Sequence, residues 1–241
     1  MATPLADFAE QINPKTLAEA RRAGFRRATR VHGSLLAAIE KRALVWMAER
    51  MPAWVNSDHL TLLGFAAQIA TGVCYALAAH DRRMLLAAVV CLAVNWFGDS
   101  LDGTLARVRQ RQRPRYGFYV DHIIDSIGAV AMMGGLALSG YMHPVIAIGL
   151  LIAFLLLSIQ SYLATYTLGE FHLSVWRFGP TELRVLLAAG NLATFRWAWV
   201  IHGRYRLFDI GGAIGLAVML LMLVVLSAKN TVRLYREERM G

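Results

Sequence analysis

Six long apolar runs dominate this chain and limit what it can fold into. A helix that crosses the hydrocarbon core of a bilayer needs about 20 predominantly apolar residues. The chain is 57% hydrophobic and contains six such runs, at approximately 60–79, 84–105, 118–139, 145–168, 181–201 and 208–228. The fifth run is the weakest, because Arg184, Asn191 and Arg196 lie inside it or near it. The sequence therefore predicts an all-α, polytopic membrane protein with six transmembrane helices.

The first 56 residues contain no such run and form a region of their own before the membrane domain, which we place at 57–241. The first 30 residues are charged and lack a clear apolar core, so no cleavable signal peptide is expected. Asn13 followed by Pro14 is typical of a helix start. Further along, apolar residues recur at helical spacing among charged ones, at Leu36, Ile39, Ala43 and Met47. This pattern predicts an amphipathic helix in the membrane interface, with packing on a soluble partner as the alternative.

Lys and Arg are distributed unevenly between the two ends of the predicted spans. If both termini are cytoplasmic, the segments on that side hold 20 of the 25 Lys and Arg residues, and they are 1–57, 107–116, 169–184 and 229–241. This bias favours a cytoplasmic N-terminus and C-terminus, and we place the chain in the cytoplasmic membrane of a bacterium. The net charge of +9 then reflects positive loops and attraction to anionic lipids. A nucleic-acid partner is not expected, because the basic residues flank spans and form no soluble basic domain. One loop carries alternating arginines that we expect to be solvated and lipid-facing, with contact of one of them to a substrate phosphate as the alternative, at Arg109, Arg111, Arg113 and Arg115.

Two aspartates share one helical face with two small residues near the end of the second run. Positions 99, 102, 103 and 106 follow the spacing i, i+3, i+4, i+7, which places them on one side of a helix. Asp99 and Asp102 supply carboxylates on that side. Gly103 and Ala106 leave room for a ligand beside the backbone.

Two further aspartates lie at the start of the third run. Asp121 and Asp125 are one helical turn apart, and Gly117 lies one turn before them. Two facing helices would therefore present two carboxylates each. Acids near a bilayer are energetically costly, so the presence of four suggests a function. The alternative is a set of surface acids just outside two helices. Carboxylates suit hard divalent cations that share ligands with phosphates, and four of them could hold two metals roughly 3.5–4 Å apart.

Together these residues form a pattern, D-x2-D-G-x2-A-R-x9-G-x3-D-x3-D, from Asp99 to Asp125. It resembles the signature of the CDP-alcohol phosphotransferases, also called phosphatidyltransferases, and every fixed position of that signature is filled. The resemblance implies a six-helix membrane enzyme, usually a homodimer. Such an enzyme breaks the pyrophosphate of a CDP-linked donor, passes a substituted phosphate to an alcohol or lipid acceptor, and releases CMP.

The resemblance also implies a role for each residue of the pattern. Two Mg²⁺ or Mn²⁺ ions would be held by four carboxylates, those of Asp99, Asp102, Asp121 and Asp125. Asp125 would in addition act as general base for the acceptor hydroxyl. The CDP-linked donor would lie against Gly103, Ala106, Arg107 and Gly117. No covalent nucleophile is evident, so we expect direct displacement.

Shorter matches bear on the substrate and leave alternatives open. Asp121-His122 and the stretch Gly179-Pro180-Thr181-Glu182 resemble segments of aminoalcohol phosphotransferases, which use CDP-choline or CDP-ethanolamine with diacylglycerol. The other choice within this chemistry is CDP-diacylglycerol with a small polar alcohol.

Three single residues each have two possible roles. His122 could belong to the aminoalcohol pattern, or its ring could simply interact with neighbouring residues. Glu182 and Arg184 could contact an acceptor or merely begin a helix. The stretch 56–61 resembles a family segment before the first span but has Ser-Asp in place of its Pro-Asn, so the resemblance assigns it no nucleotide role. A membrane transporter with an acidic metal site and an inactive scaffold are the alternatives outside this family.

Overall fold

The structure is a computed structural model, described here for residues 37–168, 180–200 and 204–238. It is built from helices with one short antiparallel hairpin. The helices are α1 (Ala37–Arg50), α2 (Ser57–Leu77), α3 (Met84–Val108), α4 (Pro114–Leu138), α5 (Pro144–Leu168), α6 (Pro180–Arg196) and α7 (Leu207–Glu237). The hairpin pairs β1 (Trp199–Val200) with β2 (Tyr205–Arg206). The prediction of an all-α architecture is confirmed, and the predicted helix start at Asn13-Pro14 lies outside the described residues.

Five of the described helices are long and apolar enough to cross a membrane, namely α2, α3, α4, α5 and α7. Helices α5 and α7 bury few of their apolar side chains within the monomer. A bilayer is the medium that accepts such surfaces, because exposed apolar patches of this extent are rare on monomeric soluble proteins. The chain is therefore an integral membrane protein.

Helix α6 is shorter than the fifth predicted span. It has 17 residues and ends at Arg196, whereas the apolar run predicted a helix to position 201. The difference arises because Trp199 and Val200 pair with β2, and a short apolar run fits a strand as well as a helix. Seventeen residues rise roughly 25 Å, slightly less than the ~30 Å of hydrocarbon. The sixth span thus stays a prediction.

Polar residues explain both the weak hydropathy of α6 and its placement. Asn191 is buried and donates from Nδ2 to the hydroxyl of Tyr75 on α2 at 2.9 Å. Arg82, just before α3, donates from Nη2 to the backbone oxygen of Thr194 at 2.8 Å. At its other end α6 contacts α3 through Arg184. Two of the three residues that weaken α6 as a lipid-facing span, Arg184 and Asn191, are therefore those whose side chains bond it to α3 and α2.

Glycines allow α2 to approach both helices that carry the aspartates. A Cβ added to Gly98 on α3 would lie 2.6 Å from the backbone nitrogen of Gly64 on α2. A Cβ on Gly135 of α4 would overlap the backbone of Gly72. Small residues permit such close crossings of membrane helices. Because α2 packs tightly on α3 and on α4, it fixes the spacing between the two pairs of acids.

Helix α1 packs against α3 with a face that differs by one residue from the predicted one. Leu44 and Ala48 are buried and Met47 is partly buried, whereas Ala43 is exposed. These side chains join a cluster formed by α1, the following linker, α2 and α3, with Val55, Leu60, Leu101 and Leu105. Packing on α3 selects this face, which spacing alone could not identify. The position of α1 in the membrane interface stays a prediction.

Two of the four alternating arginines are engaged with the protein and do not simply face solvent and lipid. Arg109 donates from Nη2 to the backbone oxygens of Met51 and Pro52, at 2.8 and 2.9 Å. Arg113 forms an ion pair with Asp58 at the start of α2. The expectation of a freely solvated loop is therefore wrong for Arg109, because the linker between α1 and α2 lies close to it and has backbone acceptors to satisfy. Arg113 stays exposed to solvent beside its partner.

Candidate active site

The two aspartate-bearing faces meet in a cleft between α2, α3 and α4. Its lining residues are Thr61, Gly64, Phe65 and Gln68 from α2, Asn95, Asp99 and Asp102 from α3, and Ile124 and Asp125 from α4. The charges of Asp99, Asp102 and Asp121 all act on Asp125. The structure therefore brings the four predicted acids together.

Asp102 is held by the first turn of α2. Thr61 donates from Oγ1 to Asp102 Oδ2 at 2.5 Å, and Ser57 donates from Oγ to the Asp102 backbone oxygen at 2.8 Å. A capping box fixes where this helix begins: Asn56 Oδ1 accepts from the backbone nitrogen of His59 at 3.0 Å, and His59 Nδ1 accepts from that of Asn56 at 3.4 Å. The segment 56–61 therefore orients an acid of the site, a role that the sequence did not reveal. The signal was present in hydroxyl residues at 57 and 61, one turn apart.

Asp99 is paired with an arginine from α6. Arg184 Nη2 lies 2.6 Å from Asp99 Oδ2, and Arg184 Nε donates to Asn95 Oδ1 at 2.7 Å. Asn95 in turn donates to the backbone oxygen of Gly64 at 2.9 Å. The side chains of Arg184 and Asp99 are only 16% and 28% exposed, whereas the Arg113–Asp58 pair is about half exposed. The Arg184–Asp99 pair is therefore the less screened of the two.

Aromatic rings flank the acids of α4. The His122 ring lies 4.1 Å from that of Phe118 and 4.9 Å from that of Tyr162 on α5, between ring centroids. His122 Nδ1 donates to the backbone oxygen of Phe118 at 2.6 Å. His122 thus has partners within the protein, which favours a structural role in which its ring interacts with neighbouring residues.

Tyr162 is a site neighbour that the sequence did not single out. Its side chain interacts with the hydroxyls of Ser126 and Ser158, and the charges of Asp121 and Asp125 act on it. Helix α5 therefore supplies a polar group beside the acids of α4. No motif marked this residue, because it lies in the most apolar of the first four spans.

The residues expected to contact a donor border open space. A Cβ on Gly103 would meet only Arg107 Nη1, at 3.5 Å, and a Cβ on Gly117 would meet nothing within 4 Å. This contrasts with Gly98, whose missing side chain is occupied by α2. Ala106 is half-buried on the same helix, and Arg107 donates from Nη2 to Thr104 Oγ1 at 2.9 Å. The small residues at 103 and 117 thus leave room that no helix fills.

The side-chain oxygens of the four aspartates are chemically suited to bind a hard divalent cation, because such cations prefer carboxylate ligands. Three carboxylates and one guanidinium, that of Arg184, act on Asp125, so negative charge is in excess. The carboxylates are nevertheless turned toward Arg184 and Thr61. Within the described ranges, no three His, Cys, Asp or Glu side chains are arranged as a ready-made metal site.

A comparison with protein families agrees with the site. The sequence model described as CDP-alcohol phosphatidyltransferase matches residues 54–228. This range covers well over half of the chain, includes all eight signature positions, and extends from just before α2 into α7. No curated protein matches the chain significantly. Because the family match and the meeting of Asp99, Asp102 and Asp125 in one cleft point the same way, we conclude that this chain belongs to the CDP-alcohol phosphatidyltransferase family, whose members are phosphate-group transferases of phospholipid synthesis.

Proposed function

We propose that this chain transfers a substituted phosphate from a CDP-linked donor to an alcohol and releases CMP. The observation that carries the proposal is the convergence of Asp99, Asp102 and Asp125 on one cleft, with unfilled space beside Gly103 on the same helix face. A transporter is less well supported, because the family whose sequence model matches the chain consists of phosphate-group transferases.

In this proposal the four aspartates hold two Mg²⁺ or Mn²⁺ ions. Bound ions would neutralise the donor pyrophosphate and the CMP leaving group. Thr61 supports this role, because its hydroxyl fixes the rotamer of Asp102 and such outer hydrogen bonds orient metal ligands. Arg184 holds Asp99 in the same way and offsets part of the repulsion among the acids.

Other residues bind the donor, and one of the four aspartates also receives a proton. Arg107 and the open space at Gly103, Ala106 and Gly117 would take the nucleotide and its phosphates. Asp125 would accept the proton of the acceptor hydroxyl while that oxygen forms its bond to phosphorus and the bond to the CMP oxygen breaks. A carboxylate is a weak base, so the acceptor has to be positioned accurately for this step.

Two pairs of donor and acceptor are candidates for the substrates. The stretch Pro180-Thr181-Glu182 begins α6, and Arg184, two residues beyond it, reaches the acids. The resemblance to aminoalcohol phosphotransferases rests partly on this stretch, and the stretch lies next to a residue of the site. We therefore favour a CDP-aminoalcohol as donor and diacylglycerol as acceptor. CDP-diacylglycerol with a small polar alcohol is the other pair. We further propose a homodimer in a bacterial cytoplasmic membrane, with an active site that opens to the cytoplasm.

The test of the function is a CMP-release assay on the purified full-length chain in lipid nanodiscs. CDP-choline, CDP-ethanolamine and CDP-diacylglycerol are each combined with diacylglycerol, glycerol phosphate, inositol phosphate and serine. We expect acceptor-dependent CMP release for one donor class. The absence of CMP from every combination, in the presence of Mg²⁺ and Mn²⁺, would contradict the proposal.

Filling the open space on α3 is expected to weaken donor binding. Gly103→Leu places a side chain where a Cβ now meets only Arg107, so we expect the KM for the donor to rise at least tenfold with little change in thermal stability. Gly134→Leu is the matched control, because Gly134 on α4 is exposed and a Cβ there meets nothing. Donor titrations of both variants provide the measurement. An unchanged donor KM in Gly103→Leu would show that the nucleotide does not lie against this face.

The orientation of the site is tested with single cysteines. Arg111 is exposed between α3 and α4, and Arg83 is exposed just before α3 at its other end. In a background without Cys74 and Cys91, Arg111→Cys should react with an impermeant thiol reagent only when the cytoplasmic side is accessible. Arg83→Cys should react from outside intact cells. The reverse pattern of labelling would refute an N-in orientation.

A further inference from the structure

We propose that Glu40 of α1 is a positioning residue that sets the start of α6, and with it Arg184, against the acids of α3. The inference deepens the proposed function and rests on it for its kinetic consequences. One carboxylate oxygen of Glu40, Oε1, accepts from Trp96 Nε1 at 2.8 Å, from Thr181 Oγ1 at 2.8 Å and from Ser100 Oγ at 3.4 Å. A single oxygen thus joins α1, α3 and α6.

On α3 the two donors to Glu40 lie beside a proposed metal ligand. Trp96 precedes Asp99 by three residues, and Ser100 follows it directly. The Glu40 carboxylate is therefore bound within one helical turn of Asp99.

On α6 the donor to Glu40 lies one turn before the arginine of the site. Thr181 and Arg184 are three residues apart, and side chains at this spacing lie near each other on a helix surface. Thr181 bonds to Glu40 while Arg184 bonds to Asp99. Two attachments one turn apart therefore hold the start of α6 against α3, while Asn191 and Thr194 attach the helix farther along.

The position of Glu40 sets it apart from the family residues and from its neighbours on α1. It precedes the range matched by the family, which begins at residue 54, so the family signature assigns it no part. It is half-buried, whereas Glu49 on the same helix is exposed. Hydrogen bonds to a charged acceptor are stronger than neutral ones, and their loss would leave the Trp96 indole and the Thr181 hydroxyl without this partner.

The first test compares Glu40→Ala, Glu40→Gln and Glu49→Ala in the full-length chain. We expect Glu40→Ala to lower kcat/KM for CMP release about tenfold. Glu40→Gln should remain within about threefold of the wild type, because all three donors converge on one oxygen that an amide retains. Glu49→Ala should match the wild type. Equal losses in the Ala and Gln variants, or no loss in either, would overturn the proposal.

A double-mutant cycle asks whether Glu40 acts through Arg184. Arg184→Gln should lower kcat/KM by itself, and adding Glu40→Ala should then change it less than twofold. Independent, multiplying losses would show that Glu40 acts elsewhere. If Glu40→Ala fails to fold, Thr181→Ala should reproduce a loss of several-fold that Thr181→Ser restores, and equal behaviour of those two variants would overturn the proposal.

A structural measurement separates this inference from the proposed function. Backbone amide exchange at the start of α6, in peptides that include residues 181–184, should be faster in Glu40→Ala than in Glu49→Ala. Exchange that is unchanged by Glu40→Ala would refute the positioning role whatever the enzyme's substrate. If the wild type releases no CMP from any donor, the proposed function fails, while the exchange result still decides whether Glu40 holds α6.

Discussion

Replacing Asp125 with Asn is expected to lower the rate of CMP release by a factor of at least about 10³, a transition-state loss of roughly 4 kcal/mol. Asn is nearly isosteric with Asp but cannot accept the acceptor's proton, and loss of a positioned general base alone costs about 10²–10⁴-fold. Asp125 is also one of four carboxylates whose charges interact. Some donor binding should survive, because the open space beside Gly103 and the position of Arg107 are unaffected.

Two variants make this result interpretable. Asp81→Asn is the matched control, because Asp81 is exposed between α2 and α3 and its Oδ1 accepts from the backbone nitrogen of Arg83, a bond that an amide oxygen can also accept. It should retain wild-type turnover. Single-turnover assays with saturating donor, alongside donor-binding measurements, separate lost chemistry from lost binding. If Asp125→Asn kept near-native turnover, the assignment of the base would be wrong, and His122→Gln would be the next variant to measure.

Spacing along the sequence sufficed to predict which acids share a helix face. Asp99 and Asp102 lie on one face of α3, and both line the cleft together with Asp125 of α4. This could be predicted because helical periodicity depends only on local geometry. The signature then identified the two faces as one site, although periodicity does not show that α3 and α4 both pack on α2.

Contacts that depend on how helices pack could not be read from periodicity. Thr61 reaches Asp102 only because α2 crosses α3 where Gly64 meets Gly98. That crossing sets the rotation of α2, and rotation decides which side chains face the acids. The sequence therefore left the role of the segment 56–61 in doubt, although its hydroxyl residues were correctly spaced to act as a pair.

Arg184 illustrates the same limit on a different helix. In the sequence it weakened the fifth apolar run and left open a contact with an acceptor. In the structure it bonds to Asp99 and Asn95, so the charge that reduces the hydropathy of α6 is compensated by α3. Hydropathy treats each residue as facing lipid, whereas a charged residue within a membrane helix almost always faces a protein partner. The partner cannot be named until the helices are packed.

Removal of divalent metal is expected to abolish CMP release, with a loss of at least about 10³-fold that Mg²⁺ or Mn²⁺ restores. The physical reason is charge: the carboxylates of Asp99, Asp102 and Asp121 already repel that of Asp125, and the Arg184 guanidinium offsets only part of this repulsion. A pyrophosphate brought into this cleft adds further negative charge, and a divalent ion stabilises such a transition state by several kcal/mol. Assays before and after treatment with EDTA, followed by metal titration, provide the measurement.

The argument for metal can be checked without turnover, which guards against an inactive preparation. Binding of Mn²⁺ to the purified chain, followed by electron paramagnetic resonance, should weaken at least tenfold in Asp102→Asn and remain unchanged in Asp81→Asn. Thr61→Val should weaken it to a smaller degree, because it removes the hydroxyl that orients Asp102 but leaves every carboxylate in place. Full CMP release in excess EDTA, or equal Mn²⁺ binding in Asp102→Asn and Asp81→Asn, would show that the four acids serve another purpose. Graded weakening in the order Asp81, Thr61, Asp102 is expected only if the carboxylates bind the metal themselves and α2 holds one of them in place.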